Sequence, residues 1–182
     1  QVAFPQILSL GAAFGGIGLG IVPASFALMP LGLSMLAMSP VAGRLEKRWG
    51  AKALVCIGAS LMALGYTVLA FAEPSVWLLV GAGVIIGCGT GLGYASMPAL
   101  VMSLVPSAAS GAANGLNALA RSMGTALAST IVASMLAARV VQIGDVTAPT
   151  VAAFDSVFLV AMIIAAACAA VAACIPRVGR LS

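Results

Sequence analysis

The chain has 182 residues, of which 63% are hydrophobic and 7% are charged, and its mean hydropathy is +1.20. A soluble domain carries about 25% charged residues, so this composition excludes a soluble enzyme, a nucleic-acid-binding protein and a disordered chain. The net charge of +4 comes from bases grouped in one loop and at the C-terminal end, which is not a nucleic-acid-binding stripe. Long continuous apolar runs, without the alternation of membrane β-strands, predict an all-α polytopic membrane protein.

The start of the chain is apolar and does not have the pattern of a signal peptide. It begins at Gln1, and no basic residues precede its first apolar stretch. We therefore expect an earlier part of the protein to precede this sequence. The stretch up to about Phe14 is predicted to be the end of an earlier helix.

Five further stretches are long enough to span a bilayer, which needs about 20 apolar residues. We predict a single transmembrane domain over residues 1–182, with five to six helices in all. The five complete helices are predicted at about 16–40, 53–72, 75–104, 110–138 and 151–175. Prolines inside the first and third helices are expected to kink them; they are Pro23, Pro30 and Pro98.

The third predicted helix is rich in glycine, with the sequence GAGVIIGCGTGLG from residue 81 to 93. Pairs of glycines four residues apart, Gly83/Gly87 and Gly87/Gly91, allow two helix backbones to approach closely in lipid. A dinucleotide-binding fingerprint is not supported here, because no βαβ unit surrounds the run. We expect this helix to pack tightly against its neighbours.

The loop between the first two helices contains half of the basic residues of the chain. It holds four bases, and two more lie in the C-terminal tail. Basic loops stay in the cytoplasm, so the first loop, the third loop and the C-terminus are expected on the cytoplasmic side. Trp49 and Trp77 are expected at opposite interfaces, where aromatic side chains anchor membrane helices.

The first loop, SPVAGRLEKRWGAK, resembles a motif of the major facilitator superfamily, which has the form G-x-L-x-D-R-x-G-R-R. In this sequence Lys47 replaces the expected acid and Ala51 replaces a base. In the family this loop gates the conformational switch; a plain topology anchor is the alternative here. The candidate residues of this gating loop are Gly43, Arg44, Leu45, Lys47, Arg48, Gly50 and Lys52.

Longer stretches are similar to the drug:proton antiporters of the fourteen-helix type within that superfamily. They are SPVAGRL, GLGYASMPALVMSLVPSAASGAANGLNALARSMG and AFDSVFLV. The resemblance implies the C-terminal portion of a carrier in the bacterial inner (plasma) membrane, whose N-terminal half is missing from this sequence. It also implies export of drugs or other amphipathic small molecules by alternating access, driven by protons.

The fourth predicted helix carries polar side chains on one face. Asn114, Asn117, Arg121 and Thr125 follow one another at spacings of three or four residues. Such a stripe must face protein or water rather than lipid, so it either lines a substrate cavity or forms interhelical hydrogen bonds. Arg121 either lies in the cavity, where it would repel cationic substrates unless a carboxylate neutralises it, or reaches to the cytoplasmic interface.

Acidic residues are scarce, which limits the candidates for proton coupling. Asp155 lies about one turn into the fifth helix; it is a weak coupling candidate, and helix capping is the alternative. The resemblance places most coupling carboxylates in the N-terminal half.

The chain has no histidine, no CxxC pair and no catalytic constellation, so we expect no enzyme activity, no metal site and no cofactor. The expected partners are the bilayer, a small-molecule substrate and protons. Two alternatives stay open: a carrier of the same superfamily for a lipid, sugar or metabolite, and a small oligomeric channel or assembly protein.

Overall fold

The computed structural model describes residue 8 and residues 21–72, 75–143 and 146–174. In these ranges five helices are long and apolar enough to cross a membrane, which confirms the predicted all-α membrane fold. The stretch up to about Phe14, predicted to be the end of an earlier helix, lies outside the described residues except for residue 8. The C-terminal tail after residue 174 also lies outside them. The five helices are α1 (Ile21–Trp49), α2 (Ala51–Phe71), α3 (Val76–Met102), α4 (Ser110–Ala137) and α5 (Val151–Cys174).

The first predicted loop is helical over most of its length. We predicted that the first helix ends at about residue 40, but α1 continues through Pro40 to Trp49, and only Gly50 separates it from α2. Pro40 removes one backbone hydrogen bond without ending the helix, as Pro30 does earlier in α1. Leu, Glu, Lys and Arg dominate the segment that follows and are good helix formers.

The connection between α4 and α5 contains a β-hairpin. Strand β1 (Val140–Ile143) pairs in antiparallel fashion with β2 (Val146–Pro149), and Val140 lies opposite Pro149. Three of the four residues of β1 and two of the four of β2 are β-branched, which favours extended backbone. We call the end of the bundle with this hairpin the hairpin end. The opposite end is the basic end, and it contains residues 44–52 and the 103–109 connection between α3 and α4.

Helix α3 is the centre of the bundle. It packs along both α1 and α2, and α2 also packs along α5. Helix α4 makes far fewer contacts, mainly with α3 and α5. The interior of the described bundle is therefore built around α3, whereas α4 lies at its margin.

Glycines bring the backbone of α3 against α1. A methyl group placed on Gly87 would come within 2.5 Å of the carbonyl oxygen of Leu31, and one on Gly91 within 2.7 Å of that of Met35. No real carbon atom tolerates these distances, so only glycine fits at these positions. The close approach predicted from the Gly87/Gly91 spacing is confirmed.

A second glycine contact joins α3 to α2 on the other side. A methyl group on Gly89 would lie 2.5 Å from the carbonyl oxygen of Gly58, and one on Gly58 would lie 2.7 Å from that of Gly89. Two turns further along α2, Gly65 lies against the side chain of Ile86. Because lipid is as apolar as leucine, such close backbone packing supplies much of the attraction between membrane helices.

Apolar clusters fill the space on either side of these contacts. At the hairpin end, Leu69, Leu79 and the fully buried Phe154 belong to one cluster that joins α2, α3 and α5. At the basic end, Leu54 and Leu92 pack together between α2 and α3. Trp49 and Trp77 are exposed at opposite ends of the bundle, as predicted for interfacial anchors.

The contact between α2 and α3 predicts unequal effects for two neighbouring glycines. Gly89→Ala forces the two backbones apart, and we expect it to lower stability by about 1–3 kcal/mol, the usual cost of overpacking. Gly93→Ala is the matched control, because a methyl group there meets no atom within 4 Å. Alanine also favours the helix by about 1 kcal/mol over glycine, so this control should be neutral or stabilising.

Thermal denaturation of the purified full-length protein in detergent, followed by size-exclusion chromatography, measures the difference. Equal midpoints for the two variants would show that α2 and α3 are not in backbone contact.

Candidate functional site

The junction between α1 and α2 is a sharp break at a single glycine. Gly50 has φ 79° and ψ 157°, a backbone conformation that is essentially restricted to glycine. Its N–H donates to the carbonyl oxygen of Glu46 at 2.8 Å and so closes the last turn of α1. The chain therefore reverses direction between two rigid helices without a flexible loop.

The candidate gating residues surround this break. Gly43, Arg44, Lys47 and Arg48 are exposed on the last two turns of α1, whereas Leu45 packs onto the apolar cluster at the basic end. The segment thus has a basic outer face and an apolar inner face. It is held on the bundle by its apolar side, and its charges face outward.

Lys52 connects the first turn of α2 to the last turn of α5 through a hydrogen bond. Its Nζ donates a hydrogen bond to the carbonyl oxygen of Ala173 at 2.9 Å. The carbonyl groups in the last turn of a helix lack partners within the helix and attract a cation. This last base of the motif therefore joins two helices at the basic end.

The polar face of α4 lies as the spacing predicted, but it is largely uncovered. Asn114, Arg121 and Thr125 are exposed and Asn117 is half-buried. The hydroxyl of Thr125 donates to the carbonyl oxygen of Arg121 in the same helix at 2.8 Å, and Ser129 does the same to Thr125. Both hydroxyl groups therefore donate their hydrogen within α4 and not to another helix.

Arg121 contacts one residue that sequence reasoning missed. Its guanidinium carbon lies 4.9 Å from the centroid of the Tyr94 ring on α3, within the range of a cation–π interaction. At 1.5 Å per residue, Arg121 lies about 16 Å from the start of α4 and Tyr94 about 12 Å from the end of α3. Both residues therefore lie in the interior of helices that are long enough to cross a hydrocarbon layer of about 30 Å. The sequence feature that could have pointed to this contact is Tyr94 itself, an aromatic residue directly after the glycine-rich run of the third helix.

Asp155 lies at the hairpin end, away from both the gating residues at the basic end and the polar face of α4. It is half-buried in the second turn of α5, beyond the first-turn N–H groups that a capping carboxylate satisfies. Nearby, Arg139 Nη1 donates to Ser156 Oγ at 2.9 Å and so holds the hairpin against α5. The predicted site residues therefore occupy three separate places: the basic end, the middle of α4 and the hairpin end.

Comparison with known proteins identifies the family. The sequence profile of the Major Facilitator Superfamily matches residues 2–180. The chain belongs to the major facilitator superfamily. It is therefore a multi-pass membrane protein of a transporter family, in agreement with the five apolar helices.

Individual relatives within the superfamily are distant. The multidrug resistance protein Stp of Mycobacterium tuberculosis is 31% identical over 125 residues, which cover 65% of this chain and 23% of Stp. The uncharacterized MFS-type transporter YhjX of Escherichia coli is 37% identical over 73 residues, which cover 40% of this chain and 18% of YhjX. Human monocarboxylate transporter 11 is 42% identical over 64 residues, covering 35% of this chain and 13% of that protein. The matched regions span less than a quarter of each relative.

The break at Gly50 predicts a difference between two glycines of the same motif. Gly50→Ala places a side chain on a backbone conformation that costs about 1–3 kcal/mol for other residues, although no neighbouring atom obstructs it. Gly43→Ala, inside α1 and equally unobstructed, should be neutral or stabilising because alanine favours helices.

Denaturation midpoints of the two purified variants test this expectation. A Gly50→Ala protein as stable as the Gly43→Ala protein would contradict the sharp break between α1 and α2.

Proposed function

We propose that this chain is the C-terminal part of a proton-coupled secondary transporter that exports drugs or other amphipathic small molecules by alternating access. The observation that supports this proposal best is the uncovered polar face of α4, with Arg121 at mid-depth. A membrane protein keeps such a face only where it meets water or protein.

The energetic argument concerns Arg121. A guanidinium group at the bilayer centre costs at least about 2.5–3.5 kcal/mol when it faces lipid. Arg121 is exposed on the described bundle, and its contact with the Tyr94 ring holds it beside α3. A water-filled cavity against α3 and α4 removes this cost, and Asn114, Asn117 and Thr125 would line the same cavity.

The marginal position of α4 supports a second bundle opposite it. Superfamily carriers consist of two six-helix halves that rock about a central site. We propose that the missing N-terminal half faces α4 across the cavity, which explains why α4 packs so little against its own bundle.

We propose that the basic end faces the bacterial cytoplasm and acts in gating. Positive charge keeps short loops inside, and three of the gating candidates are exposed bases at the end of α1. Since α1 and α2 are rigid up to Gly50, movement of one helix would be transmitted directly to the other, and Lys52 would pass it to α5. The C-terminus then lies on the cytoplasmic side.

The coupling carboxylates are proposed to lie mainly in the N-terminal half. Within the described spans the acids are Glu46, near the basic end, and Asp155, near the hairpin end. Asp155 remains a weak candidate, because its half-buried carboxyl group lies near one end of the span.

The name of the relative Stp supports drug export, and we place it ahead of transport of a lipid, sugar or metabolite. Membership in a transporter family favours a carrier over a small oligomeric channel.

Reconstitution of the full-length protein into proteoliposomes tests the proposal. We expect a panel of cationic, anionic and neutral amphipathic dyes to contain at least one that accumulates under an imposed pH gradient. A protonophore should abolish this accumulation. Equal dye movement with and without the gradient would contradict proton coupling, and movement of no dye would contradict export of amphipathic molecules.

A further inference from the structure

We propose that Arg121 and Tyr94 form an anion-binding subsite, so that the exported molecule carries a carboxylate or sulfonate group on an apolar or aromatic body. This inference rests on the proposed function and names its substrate class. Its basis is the pairing of a guanidinium group, well inside a membrane-length helix, with an aromatic ring, where the described residues place no carboxylate beside it.

The contact with Tyr94 positions Arg121 and leaves N–H groups of its guanidinium group able to donate hydrogen bonds. The ring of Tyr94 occupies the space beside the guanidinium group, with 4.9 Å between the guanidinium carbon and the ring centroid. The aromatic ring attracts the cation through its face, but it has no oxygen or nitrogen in the ring to accept hydrogen bonds from the five N–H groups of the guanidinium group. A planar guanidinium group can therefore bind a carboxylate through two parallel hydrogen bonds while the ring holds it in place.

The charges around the pair favour an anion. Among the described residues, Glu46 lies in the last turn of α1 at the basic end and Asp155 lies near the hairpin end. Arg121 lies about 16 Å along α4 from the basic end, and no ion pair joins it to a described carboxylate. Electrostatic repulsion at this depth is screened poorly, so a cationic substrate is disfavoured and an anionic one is attracted.

Neighbouring side chains fit the rest of such a molecule. Asn117 lies one turn before Arg121 on the same face and supplies further amide N–H donors. On α3, Met97 lies one turn after Tyr94 and is 42% exposed. Methionine adapts to varied apolar surfaces, so the pair is flanked by a polar group on α4 and a deformable apolar group on α3.

Two dyes with the same xanthene scaffold test the inference: fluorescein, an anion at neutral pH, and rhodamine 123, a cation. The full-length carrier is reconstituted in proteoliposomes with an imposed pH gradient, and initial rates are measured for both. We expect the wild-type protein to transport fluorescein faster than rhodamine 123. Arg121→Gln should reduce the fluorescein rate by about tenfold or more, as for loss of a charge-assisted hydrogen-bonded pair, without reducing the rhodamine 123 rate.

Variants of Tyr94 separate the ring from its hydroxyl group. Tyr94→Phe keeps the cation–π contact and should retain fluorescein transport within about twofold, because the ring supplies the attraction. Tyr94→Leu removes the ring and should reduce fluorescein transport several-fold. The ratio of the two dye rates is the readout, since general loss of folding lowers both rates alike.

The outcomes distinguish this inference from the proposed function. A wild-type protein that prefers rhodamine 123, or an Arg121→Gln protein whose two rates change equally, overturns the anion-binding subsite and leaves the carrier proposal standing. Fluorescein transport that is unchanged in Arg121→Gln also overturns it. If neither these dyes nor any other amphipathic dye moves, the proposed function fails and the inference fails with it.

Discussion

Close contact between helix backbones at glycine is the interaction on which the rest of this bundle depends. Gly87 and Gly91 bring α3 against α1, and Gly89 meets Gly58 on the opposite side. In lipid, apolar side chains gain little from leaving the solvent, so packing at this distance fixes how the helices are placed. Helix α3 can serve two neighbours because its glycines lie on both faces.

This packing determines which helix surfaces are not buried against other helices of the described bundle. With α3 occupied by α1 and α2, helix α4 packs at the margin, and its polar face stays open. The ring of Tyr94 then meets Arg121 across the α3–α4 boundary. The same constraint that builds a tight core therefore places a cation beside an aromatic ring in the interior of two membrane-length helices. The proposals for a cavity and for its substrate both rest on this pair.

The sequence predicted the features that depend on residues close together in the chain, namely the helices and the small residues along one helix. Apolar runs predicted five spans, and the Gly87/Gly91 spacing predicted close packing. It missed the helical continuation to Trp49, because a proline and a motif suggested a loop where ordinary helix formers follow. It also missed the partner glycine Gly58 and the Tyr94–Arg121 pair, since contacts between helices depend on their relative rotation, which no single segment encodes.

Cysteine accessibility along α4 tests the central claim, that its polar face lines a water-filled cavity. Single cysteines are placed at residues 110–137 of the full-length protein, after replacement of the native cysteines, and treated with a membrane-impermeant charged thiol reagent. We predict labelling with helical period, strong at positions 114, 117 and 125 and weak at the exposed leucines Leu119 and Leu127 on the opposite face. Labelling confined to the helix ends, or strongest at Leu119 and Leu127, would contradict the account.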